Sequence, residues 1–185
     1  MSKAAPGQLD HVRSFVNTRD LEEETEELAS PEALAGWLAE RDLLPEGAQL
    51  DSAALRHAIE LREALRRLLL ANNGARLEPD AVATLNRTVA DARLSIRFDG
   101  TGSPALAVTG TGPPAAVAPI AAIVYEAMVN GTWSRLKACR ADDCQWAFYD
   151  ESRNHSGTWC DMAVCGNRAK VRAYRDRRAA GDGSG

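Results

Sequence analysis

The chain has 185 residues, 45% of them apolar and 26% charged, with a formal net charge of −4. That length suits one ordinary domain, or one domain with a small appended module, and it suffices to bury a core without disulfides. The composition excludes wholesale disorder; no apolar run reaches the roughly 18 residues of a membrane span, and the N-terminus lacks the apolar stretch of about 7–15 residues found in signal peptides. A cytoplasmic location without a membrane partner is the expectation. The charge is uneven. Residues 1–135 carry 13 Lys and Arg against 19 Asp and Glu, whereas residues 136–185 carry 9 against 7. A net-acidic chain is a poor bulk binder of DNA, so any nucleic-acid contact must come from a local basic surface.

Leu9, Val12, Phe15 and Val16 share one face of a helix expected over 9–19. Asn17, Thr18 and Arg19 at its end either form a small polar ligand site or cap the helix. The next stretch, DLEEETEELA, has six acids and no base, and reads as a solvated helix end or loop. Ser30-Pro31-Glu32 opens a second helix, serine as cap and proline in the first turn, with Leu34, Trp37 and Leu38 as its stripe. A third runs from Ser52 to Asn72, capped by Asp51. Leu55, Ala58, Ile59, Leu65 and Leu69 trace its apolar side, widened by Leu61 and Leu68. Its charges (Arg56, Arg62, Glu63, Arg66, Arg67) read as a solvated face, Arg62 alone falling toward the stripe. Asn72-Asn73-Gly74 is a strong stop, and Pro79 opens a fourth helix. His11 and His57 have no evident Cys or Ser partner and read as structural.

The period then changes to alternation. Leu94, Ile96 and Phe98 alternate with Arg93, Ser95 and Arg97, Asp99–Pro104 is turn chemistry, and a strand returns over 105–109. This is a hairpin with one buried face. The DGTGS segment lacks the Lys-Ser/Thr of a phosphate loop. After GTGPP, residues 115–130 form a helix that is apolar nearly all round and belongs in the middle of the core. A boundary falls near 131–136.

All four cysteines lie beyond it, as C-x4-C-x15-C-x4-C: Cys139, Cys144, Cys160 and Cys165. Four thiolates satisfy tetrahedral zinc completely, and a site so closed is structural rather than catalytic. The alternatives are disulfides, disfavoured in a reducing cytosol, free core cysteines, or an iron–sulfur cluster, whose usual spacings differ. His155 lies between the pairs and is expected outside the coordination shell. Four thiolates with Zn²⁺ carry a charge of −2. Lys137, Arg140 and Arg168, the nearest cations in sequence, either screen it or contact a partner. Trp146, Phe148 and Asp150 alternate with their neighbours as in a short strand. Its aromatics are expected to cover the metal, for want of any other core in so small a module, with base stacking as the alternative. After Cys165, residues 168–178 hold six bases and one acid, an amphipathic basic helix suited to phosphate contacts.

The run C-x4-C-x-W-x-F-x-D-x-S-x-N…W-C-x-M-x-x-C-G-N-R-x-K resembles the CGNR zinc finger of bacterial proteins. FVNTRD at Phe15–Asp20, followed by the Trp37-Leu38 helix, resembles the start of the ABATE domain that precedes that finger. The resemblance implies one structural zinc ion on Cys139, Cys144, Cys160 and Cys165, and a regulator of transcription under stress. Gly166, Asn167 and Arg168 complete the signature. One departure is visible: family members often carry a basic pair before the tryptophan of WC, where this chain has Gly157-Thr158, and Asp142-Asp143 add negative charge nearby.

The expected fold is mainly α with a β-hairpin (α+β). A helical domain spans 1–134, a treble-clef- or ribbon-like four-cysteine zinc module spans 135–180, and 181–185 form a disordered tail. Removing the metal is expected to unfold the module and spare the helical unit. The expected function is DNA binding through Arg168, Lys170, Arg172, Arg175, Arg177 and Arg178, with the helical domain as sensor of a small-molecule effector or as homodimerisation unit. The alternative is a ligand-binding or protein-docking protein whose finger is purely structural, with Asn17, Thr18 and Arg19 as the ligand candidates. No enzyme is expected.

Overall fold

The computed structural model describes the backbone of residues 4–182 and the side chains of all of these except 176 and 179–182. Helices α1 (Leu9–Val16), α2 (Pro31–Ala39), α3 (Ser52–Asn72), α4 (Pro79–Asp91) and α5 (Pro113–Val129) build the N-terminal body. Two antiparallel hairpins interrupt them: β1 (Arg19–Asp20) with β2 (Thr25–Glu26), and β3 (Leu94–Phe98) with β4 (Pro104–Val108). A third hairpin, β5 (Leu136–Ala138) with β6 (Ala147–Tyr149), precedes helix α6 (Asn167–Asp182). The stretch expected to begin the tail, 181 and 182, continues α6; residues 183–185 lie outside the described residues.

α3 is the spine. The Asp51 carboxylate accepts the Ala54 amide at 2.7 Å and starts it. Its end is a Schellman turn: Gly74 N–H donates to Ala71 C=O at 2.9 Å and Ala75 N–H to Leu70 C=O at 3.0 Å. That turn needs Gly74 at φ +88°, and its missing Cβ also makes room for the Arg140 guanidinium. Around α3 pack α1, α2, α4, α5 and β5. Phe15, Leu34, Leu38, Leu61, Leu65, Leu69, Val117 and Ile120 are fully buried between them.

Two apolar expectations fail at their ends. The β3–β4 hairpin lacks the continuous buried face its alternation suggests: Ile96 is 58% and Phe98 71% exposed. Only the root of the hairpin reaches α4 and α5, so its tip runs past any layer that could cover it. α5 is core along Ala116–Val124 and at Ala127, yet Tyr125, Met128 and Val129 face outward. The expected turn at 99–103 is confirmed, with Asp99 Oδ1 accepting the amides of Thr101 and Ser103 at 2.8 and 3.0 Å.

The hydrophobic core does not stop at the chain's composition boundary. Trp133, Leu136, Ala138 and Ala147 belong to the same buried cluster as Phe15, Leu65 and Val124. The small C-terminal module therefore borrows the helical core.

Candidate metal centre and basic helix

The cysteines approach one another from two turns. The first lies in the loop joining β5 to β6. Cys139 N–H donates to Trp146 C=O at 3.0 Å, and the amides of Cys144 and Gln145 both donate to Ala141 C=O at 3.0 Å. Gln145 adopts φ 47° to close this loop. The second is a π turn at Met162–Gly166 leading into α6. Asp161 Oδ1 caps it by accepting the amides of Ala163 (2.7 Å) and Val164 (3.2 Å).

The four sulfurs all lie within 4.8 Å of one another, with Cys144–Cys160 at 3.6 Å and Cys160–Cys165 at 3.7 Å. Four sulfurs about 2.3 Å from a tetrahedral ion stand about 3.8 Å apart, whereas a disulfide requires about 2.05 Å. The donor set and its spacing therefore fit one zinc ion. Without a cation the sulfurs oppose one another. The hydrogen bond with Cys139 pushes the Cys144 thiol up to about 12, and the same partner raises Cys160, while Cys139 is lowered by accepting from both. Four thiolates at this range need a central positive charge. His155 is not among the residues gathered there; its carbonyl instead accepts from Lys137. Of the strand's aromatics Trp146 packs against the sulfurs, joined there by Trp159, whereas Tyr149 packs on the helical core.

Of the three cations nearest in sequence, one touches the centre. Arg168 Nη2 donates to Cys165 Sγ at 3.2 Å, and the same guanidinium grips both oxygens of Glu22 at 2.6 and 3.2 Å. The hydrogen bond with Glu22, then that with Cys165, raises its pKa. Lys137 is buried and donates to Asp150 Oδ2 (2.7 Å), His155 C=O (2.6 Å) and Gly157 C=O (3.0 Å). Burial alone would raise the Asp150 pKa; hydrogen bonds from Lys137, Ser152 and Gly157 outweigh it and hold the carboxyl well below the carboxylate range. Arg140 Nε donates to Asn73 C=O at 2.6 Å.

The module is sewn to the helical body by groups that read otherwise in the sequence. Asn17 is buried and mimics a peptide: its Nδ2 donates to Ala147 C=O at 2.9 Å, and its Oδ1 accepts the Ala147 amide at 2.7 Å. Thr18 donates to Phe15 C=O at 2.7 Å and accepts from Arg62 at 3.2 Å, while Arg19 Nη1 donates to Glu24 C=O at 3.1 Å. Asn17 and Thr18 are thus buried and bonded within the fold, while Arg19 stays part-exposed. Asn72 Nδ2 donates to the carbonyls of Trp133 and Leu136, and Asn73 Nδ2 to those of Ala138 and Thr158. Arg66, expected on a solvated face, is buried and donates to the carbonyls of Val16, Arg19 and Gln145. Arg62 is buried beside it, paired with Glu26 at 2.6 Å. His57, expected to be structural, meets Thr88 Oγ1 at 3.1 Å between α3 and α4, and burial lowers its pKa.

α6 leaves the centre and presents Lys170, Arg172, Arg175, Arg177 and Arg178 exposed, with Arg168 half-buried at its root. Val164, Val171 and Tyr174 are also exposed, and the Arg178 guanidinium lies 5.9 Å from the Tyr174 ring centroid. A groove of 620 Å³ runs along this side between Val164, Asn167, Val171 and Arg172.

A family model for the CGNR zinc finger matches residues 135–178. A second, ABATE, described as "Putative stress-induced transcription regulator", matches residues 11–131. The chain belongs to the ABATE family. Its ABATE segment supplies Asn17, Glu22, Arg66 and Asn73, and its CGNR finger supplies the sulfurs and Arg168, so the contacts just described join one matched segment to the other. Gly157 is tightly enclosed. A Cβ on Gly157 would lie 2.8 Å from Asp150 Oδ1, a carboxylate already locked by Lys137. No curated protein matches the chain.

Proposed function

We propose that this ABATE–CGNR chain is a DNA-binding transcriptional regulator and not an enzyme. In this reading the zinc finger aims α6 at nucleic acid, and the helical body senses an effector or pairs subunits in the cytoplasm. The observation that carries it is the anchoring of a basic helix at the metal. The helix begins one residue after the last buried elements of the centre, Cys165 and Gly166, and Lys170, Arg172, Arg175, Arg177 and Arg178 are exposed along it. Such a rigidly aimed cationic helix suits phosphate contacts and groove entry. A centre filled by four protein sulfurs has no open position for a substrate, which favours a binding role. The body's open cavity of 1060 Å³ between α2 and Leu43–Leu50 supports the effector role. Exposed Ile96 and Phe98 support subunit pairing.

Titrating zinc-loaded protein into labelled duplex DNA tests the reading. Affinity should fall with salt, and replacing Arg172 and Arg175 together by Ala should reduce the slope of log K against log salt by about 2. Binding that ignores this double change would remove DNA contact from α6. A second reading, in which the finger only clips the structure shut, is favoured by Asn17, Arg66 and Asn73, which tie the finger to the body. Absence of DNA binding at low salt, with effector binding at the α2 cavity, would select it.

A further inference from the structure

The acidic stretch after α1 is a built turn in contact with the finger. Asp20 Oδ1 accepts the amides of Glu22 and Glu23 at 2.9 and 3.1 Å, and β1 pairs with β2 on either side. Arg66 holds the Arg19 carbonyl and anchors the turn to α3. So held, Glu22 meets the Arg168 fork with both carboxylate oxygens, and Asp143 stands 3.7 Å from the same guanidinium. We propose that Glu22 is an internal stand-in for a backbone phosphate: it occupies Arg168 in the free chain, and DNA binding requires its displacement.

Three features support an exchangeable contact over a permanent clip. A carboxylate and a phosphate present the same pair of oxygens to a guanidinium fork, so one can replace the other without moving the arginine. The pair is open, with side chains 37% and 40% exposed, unlike Lys137–Asp150 at 5% and 3%. An exposed pair is weak, and a polyanion that releases its counterions outcompetes it. Arg168 also lies where a phosphate path would run. With Arg172 it lines a cavity of 250 Å³ shared with Arg140 and Trp159, and α6 continues that basic surface.

This inference presupposes that α6 binds DNA. The test is a salt series of DNA titrations on the zinc-loaded full chain, comparing wild type with Glu22→Gln, Glu23→Gln, Arg168→Ala and Glu22→Gln/Arg168→Ala, with zinc content measured for each. Glu22→Gln should bind about three- to five-fold tighter, as loss of an exposed ion pair allows. Its salt slope should match that of wild type, because Arg168 meets the phosphate in both complexes, whereas Arg168→Ala should flatten the slope by about 0.9. Glu23→Gln, one residue along the same turn, should tighten binding less, and Arg168→Ala should abolish the effect of Glu22→Gln. Wild type that binds DNA with no tightening in Glu22→Gln, or an equal tightening in Glu23→Gln, overturns the stand-in role alone. No binding by any variant at low salt overturns both the DNA reading and this one. A tightening that survives in the Arg168→Ala background also overturns it, since Glu22 would then act by bulk repulsion.

Discussion

Lys137 carries three ammonium hydrogens, and all three have acceptors in a pocket where the lysine and Asp150 are both buried. A buried pair tolerates replacement of both partners far better than loss of one. Lys137→Met should therefore destabilise the fold by about 3–5 kcal/mol, read as a lower urea midpoint, because it strands the Asp150 charge. Gly157 faces the same carboxylate with no room for a Cβ. Gly157→Ala should cost about 1–3 kcal/mol through overpacking, and a Gly157→Ala midpoint equal to that of wild type would show that Asp150 can move aside. Neither residue stands out in the sequence. A lysine near four cysteines reads as a screening charge, and a glycine before WC reads as a missing basic residue, until the fold brings Asp150 between them.

At the scale of elements, α3 shows what periodicity reveals and what it conceals. Its cap, its stop and its leucines follow from local chemistry, since Asp51 and Gly74 act within a few residues of themselves. The burial of Arg66 and the long-range bonds of Arg62 do not, because apart from neighbouring Glu63 their partners lie 36 to 50 residues away, between Val16 and Glu26, or, for Gln145, 79 residues away. Burial alone would raise the pKa of Glu26; the Arg62 fork and the Leu28 amide outweigh it and hold Glu26 below the ordinary value. A carboxyl depressed by folding contributes stability that is fully present above its unfolded value of about 4.3 and is lost as pH falls through the lower folded value. Acid also strips zinc from thiolates, so the comparison must be differential. Glu26→Gln should lower the denaturation midpoint at pH 7 and lose less than wild type between pH 7 and pH 3. Parallel acid curves for the two proteins would place the titration elsewhere. The β3–β4 hairpin teaches the converse: Ile96 and Phe98 alternate as core residues do, but alternation does not say whether a layer exists to cover them.

For the whole molecule the main consequence is that metal and helices share one core. Leu136, Ala138 and Ala147 pack with Phe15 and Leu65, and Asn17, Asn72 and Asn73 donate side-chain hydrogens to carbonyls of the C-terminal segment. Independent unfolding of the finger, expected from the sequence, would leave those three donors and part of the core without partners. Chelation should therefore lower the thermal midpoint of the helical body as well, followed by far-ultraviolet circular dichroism, where a self-sufficient body would keep its transition unchanged.

Sequence by itself determined what local chemistry and spacing govern: the cap and stop of α3, the turn at Asp99, and the gathering of four cysteines whose donor type allows a closed zinc site, although α1 ends at Val16, short of the expected 19. Even the charge asymmetry between the two segments is written there. Only the tertiary structure decided which charges are working charges. It placed Glu22 on Arg168, buried Asn17 and Thr18 in bonds within the fold, and buried Arg66 between carbonyls. The physical reason is that a hydrogen bond or ion pair depends on distance in space. Contacts spanning 50 to 146 residues leave no periodic trace along the chain.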